Sequence, residues 1–90
     1  MQRMITNNQR MQRIKERLTD ALSPTHLEII DDSHLHVGHP GAQSGGGHFK
    51  VIISSPMFLG KGRLDCHKMV YRAVGDLMHT EIHALSIVVD

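Results

Sequence analysis

The stretch FLGKGRLDCHKMVY, Phe58 to Tyr71, joins a glycine turn to a helix. Gly60 and Gly62 bracket Lys61, and glycine adopts backbone angles that other residues resist. Beyond the turn, Leu64, His67, Val70, Tyr71, Val74, Leu77 and Met78 recur at spacings of three and four. That period marks one face of a helix over roughly 63 to 78. The face is apolar except for His67, whose plainer role is a core-edge histidine with a satisfied hydrogen bond. Basic residues lie in and just before the helix: Lys61, Arg63, Lys68 and Arg72.

The flanking segments can be read outward from this helix. Downstream, Thr80 to Val89 is a strand. Strict alternation would point Ile82, Ala84, Ser86 and Val88 one way, and His83, Leu85, Ile87 and Val89 the other. Upstream, Met57 to Lys61 suits a short helical turn, and Ser54-Ser55-Pro56 breaks the strand before it. That strand, His48 to Ser54, carries Phe49, Val51 and Ile53 on one face. Residues 32–47, DSHLHVGHPGAQSGGG, form a long loop rich in histidine and glycine, which Pro40 and the glycines keep irregular. His26 to Asp31 is another strand, with Leu27 and Ile29 inward. A first helix opens on a capping box, Thr6 with Gln9, and buries Met11, Ile14, Leu18, Ala21 and Leu22. Ser23-Pro24 ends it, because proline pushes its predecessor out of helical geometry. Residues 1–6 are expected to fray.

The order is αββ(α)αβ. A hairpin makes the first two strands antiparallel, and a helical crossover makes the third parallel to its neighbour. The expected fold is α+β: one domain over residues 1–90, with a three-stranded mixed sheet and helices packed on one face.

Composition narrows the function. With no Trp, one Tyr and two Phe, the core must be aliphatic. The single cysteine, Cys66, rules out an internal disulfide and an all-cysteine metal site within one chain. No apolar run approaches the roughly 20 residues of a membrane span, and the first residues carry no signal-peptide core. A cytoplasmic protein with no membrane partner is expected. A formal charge of +1 is too small to argue for nucleic acid by itself. Eight histidines are the unusual count, since histidine titrates near neutral pH and is the commonest metal ligand. No nucleophile, base and orienting group stand at motif spacing, so an enzyme is not expected.

Four motifs in order, DDSHLH with a Pro-Gly loop, GHFKVIISSPMF, FLGKGRLDCHKMVY and IHALSI, make the chain resemble the BolA family from about residue 8 to 89. The resemblance implies a fold similar to class II KH domains and two proposed jobs. One is a non-enzymatic adaptor that binds a monothiol glutaredoxin around a shared [2Fe-2S] cluster, in iron–sulfur assembly or iron regulation. The other is a DNA-binding transcriptional regulator.

For the adaptor, the resemblance implies His83 as a cluster ligand. A loop histidine would be the second, best matched by His36, counted from Asp31-Asp32-Ser33. His34 and His39 are the other loop candidates. The partner's cysteine and glutathione would bring the sulfur. A weak homodimer is the self-association to look for. For the regulator, Lys50, Lys61, Arg63, Lys68 and Arg72 are the candidate phosphate contacts. The turn Gly60-Lys61-Gly62 departs from the GXXG loop of nucleic-acid-binding KH domains, and Asp65 and Asp76 dilute the basic patch. Cys66 stands where many family members carry a basic residue.

Overall fold

The computed structural model describes residues 6–32, 47–80 and 82–90. The expectations for residues 1–5 and for the loop bearing His34, His36 and His39 lie outside them. Helix α1 runs Asn7–Leu22. Thr6 is its ordered N-cap. The Thr6 hydroxyl accepts from the Gln9 N–H at 3.1 Å, and the Thr6 N–H donates to the Gln9 side chain at 3.0 Å. Ile14, Leu18 and Leu22 are buried and Met11 packs at the margin. Ala21 is exposed, contrary to the sequence expectation, because one buried residue per turn leaves it on the shoulder of the stripe. Ser23 then turns left-handed at φ 45° ahead of Pro24.

Strand β1, His26–Asp31, pairs antiparallel with β2, Gly47–Ser54. Strand β3, Ile82–Val89, pairs parallel on the far side of β2, giving the order β1-β2-β3. Phe49, Val51 and Ile53 point into the core from the central strand. Gly47, expected in the loop, is already part of β2. A Cβ there would collide with the Phe49 ring, so only glycine lets that ring lie over the strand start.

Ser55 closes β2. Its hydroxyl donates to the Leu22 carbonyl at 2.5 Å and accepts from the Met57 N–H at 3.1 Å. A 3-10 turn at Pro56–Phe58 follows, with Phe58 buried. The Lys61 N–H then reaches the Phe58 carbonyl at 3.0 Å. With Leu59 at φ −60°, ψ 129° and Gly60 at φ +78°, residues 58–61 have the angles of a type II turn. That turn requires positive φ at its third residue, which explains Gly60.

The expected single helix over roughly 63 to 78 is two. Helix α2 runs Arg63–Val74 and α3 runs Leu77–Thr80. They are separated at Gly75, whose φ of +55° suits glycine. The Arg17 side chain ties α1 to this break, donating to the Val74 carbonyl at 3.3 Å and to Asp76 at 3.2 Å.

The buried stripe of α2 is Cys66, Val70 and Val74. Leu64 and Tyr71, expected inside, are 68% and 41% exposed. The helix is rotated toward Cys66, which fills the core as a small hydrophobe. His67 is half-buried at the margin.

Strand β3 breaks its own alternation. Gly47 pairs with Ile82, but His48 pairs with Ala84, so His83 is an extra residue in a bulge. Ile82 and Leu85 are therefore both buried, while His83 and Ala84 are both exposed. The expected grouping of Ile82 with Ala84, and of His83 with Leu85, fails at this bulge and resumes after it. One core joins α1, β2, α2, α3 and β3. The other sheet face carries Glu28, Ile30, Lys50, Ile52, Ser86 and Val88, all at least partly exposed. Among the described residues no helix is long and apolar enough to cross a membrane.

Candidate functional site

Two groups of chemistry-bearing residues stand at opposite ends of the parallel pair β2–β3. The first is at the strand starts. The bulge turns His83 outward, and its ring centroid lies 4.8 Å from that of His48 with the planes tilted by 42°. His48 follows Gly47 directly, and its backbone carbonyl accepts from the Asp32 N–H at 2.8 Å. Asp32 and Gly47, which flank in sequence the residues bearing His34, His36 and His39, both lie at this corner.

Asn7 supports the corner from α1, donating to Asp31 at 3.0 Å. Tyr71 supports it from α2, its hydroxyl donating to the Leu85 carbonyl at 3.4 Å. No group of three or more His, Cys, Asp or Glu side chains that could hold a metal occurs among the described residues.

His48 is the residue that the sequence did not single out. Its closeness to His83 depends on the β2–β3 register, which pairs residues far apart in the chain. Only the histidine before Phe49 in GHFKV hinted at it.

The second group is at the strand ends. Lys61 and Arg63 line a groove of about 430 Å³ with Cys66, His67, Ile87, Val88 and Val89. Lys68 and Arg72 continue along the exposed side of α2. Gly62, the N-cap of α2, offers no side-chain hydrogen bond. Lys50 does not join this set. It lies mid-strand on the open sheet face, paired with Ile30 and Ser86. Cys66 is 3% exposed, and its thiol faces the Lys61 carbonyl at 3.9 Å. The one cysteine is thus a core residue at the basic end, away from the histidines.

A helix, an antiparallel pair, two further helices and a parallel third strand define a two-layer α+β domain with a histidine corner and a basic turn. A family model described as BolA-like protein matches residues 18–90. The DNA-binding transcriptional regulator BolA of Escherichia coli is 37% identical over 76 residues, covering 84% of this chain and 70% of that protein. SufE-like protein 1 of Arabidopsis thaliana is also 37% identical, but the chain spans only 22% of its length. Among solved structures, the BolA domain of SufE1 from Arabidopsis thaliana superposes with a TM-score of 0.77 at 38% identity, covering 88% of this chain and 87% of that one. The solution structure of BolA1 from Mus musculus gives 0.71 at 32% identity, over 88% of this chain and 62% of that one. The chain belongs to the BolA-like family.

Proposed function

We propose that this chain is a non-enzymatic adaptor that binds a monothiol glutaredoxin and co-ligates a [2Fe-2S] cluster shared between the two proteins. The observation that carries this reading is the outward turn of His83 at the β3 bulge, with His48 beside it.

The donor set fits such a shared site and not a private one. Imidazole can replace thiolate on one iron of a [2Fe-2S] cluster. Cys66 faces the core, so this chain offers nitrogen, and the sulfur must come from the glutaredoxin cysteine and glutathione. His83 would hold one position. The second imidazole would come from the His36 segment or from His48. His36 is four residues beyond Asp32, a reach of up to about 14 Å of extended chain, so a role at this corner is sterically open to it. When bound, the cluster supplies the iron and sulfide that an assembly or iron-regulating protein passes on or senses. The residues of this chain orient a nitrogen lone pair toward it.

Anaerobic reconstitution with a monothiol glutaredoxin and glutathione, followed by visible absorption and circular dichroism, tests the proposal. A new spectrum at one-to-one stoichiometry that His83→Ala abolishes is expected. Comparing His36→Ala with His48→Ala identifies the second donor. A spectrum indifferent to His83 overturns the assignment.

A second reading has its own support. The relatives from Escherichia coli and Vibrio cholerae bear the name DNA-binding transcriptional regulator, and this chain sets Lys61 and Arg63 at one end, with Lys68 and Arg72 farther along α2. Such a regulator would bind duplex DNA with a steep salt dependence. Loss of that binding on charge removal, with the cluster spectrum intact, is the result that supports it.

A further inference from the structure

The basic end carries more than charge. Residues 57–72 hold four of the ten Lys and Arg residues but one of the nine Asp and Glu residues, Asp65. Outside this stretch the chain is net acidic. Near the turn the same stretch leaves three large hydrophobic side chains exposed: Met57, Leu59 and Leu64. Leu59 is the extreme case at 89% exposed. It occupies the second position of the type II turn. Among the described residues no packing explains a leucine there.

The glycine beside it is equally informative. Gly62 has an ordinary φ of −74°, and a Cβ on it would meet nothing within 4 Å. Neither backbone strain nor internal packing demands glycine at 62. Its bareness keeps the surface between Lys61 and Arg63 low, as close approach by another molecule requires.

An apolar side chain at the tip of a turn, flanked by cations, has a known physical use on duplex DNA. Leucine, methionine or phenylalanine inserted at a base step unstacks it and kinks the helix, while Lys and Arg hold the phosphates. We propose that Leu59 is such a wedge: Lys61, Arg63 and Lys68 hold a duplex, Leu59 enters one base step, and the chain bends the DNA it binds. This inference rests on the DNA-binding reading and specifies its mode. Leu59 protrudes beyond Leu64 and Met57, which are 68% and 46% exposed, and one leading side chain suits one base step better than a lipid surface, where a broad apolar face is the usual requirement.

The test uses the full chain and a duplex of about 20 base pairs, a length over which a bend is costly enough to measure. The duplex carries a donor and an acceptor dye at its ends and 2-aminopurine at a central flexible step. Anisotropy reads binding, energy transfer reads bending, and 2-aminopurine fluorescence reads unstacking. Wild type is expected to bind, shorten the end-to-end distance and brighten 2-aminopurine. Leu59→Ala should lose both bending signals while its affinity falls by less than about tenfold, since the phosphate contacts remain. Leu59→Met should keep them. Lys61→Ala with Arg63→Ala should weaken binding itself and flatten its salt dependence. Binding without bending, or bending that survives Leu59→Ala, overturns the wedge and leaves the DNA reading standing. No binding by wild type overturns both.

Discussion

The two ends of the β2–β3 pair stand about 20 Å apart along the strands, and they are built by different means. At the histidine end, tertiary structure does the placing. A glycine under an aromatic ring, a bulge in a parallel pair and two cross-element hydrogen bonds decide where His48 and His83 lie. At the basic end, local sequence does most of it. A serine cap, a proline, a type II turn and a glycine N-cap fall within eight residues, Ser55 to Gly62. The histidine end is thus a corner set by packing, and the basic end is a turn set by its own residues. The two proposed functions occupy separate ends, so substitutions can divide them.

The largest effect should come from the core that both ends share. Phe49 is 2% exposed in the central strand. Phe49→Ala should cost about 3–5 kcal/mol in urea unfolding and weaken both activities together. A loss confined to one end would show that the ends fold more independently than one core implies.

Gly47→Ala sharpens the contrast next. The added methyl meets the Phe49 ring, and overpacking of this kind costs about 1–3 kcal/mol. It should displace His48 and disturb the cluster spectrum while duplex affinity holds. An alanine variant as stable as wild type would refute the packing reason for this glycine.

Thr6→Ala removes the α1 cap next to Asn7, at the histidine end. It should lower stability by about 1 kcal/mol, read as a fall in the thermal midpoint.

The smallest stability changes belong to the two functional surfaces. His83→Ala and the pair Lys61→Ala with Arg63→Ala are exposed substitutions, each expected within about 0.5 kcal/mol of wild type. Their functional effects should be reciprocal. His83→Ala should remove the cluster spectrum and leave duplex affinity unchanged. The double charge variant should leave the spectrum unchanged and reduce the slope of log affinity against log salt by about 2. Equal effects of both variants on both readouts would erase the distinction between the ends.

The sequence by itself determined the elements and their order. The period of α1, the alternation of Phe49, Val51 and Ile53, and the breaks at Pro24 and Pro56 are local signals, and local signals survive folding. It also determined that one cysteine cannot supply a sulfur site, and the four motifs marked the family. Tertiary structure alone decided three things. It rotated α2 so that Cys66 is inside and Leu64 outside, because several faces of that helix are apolar enough to pack and the sheet selects one. It broke the helix at Gly75, where Arg17 from α1 meets the freed Val74 carbonyl. It also set His83 outward beside His48, because a bulge is a property of two paired strands and neither strand's sequence encodes it alone.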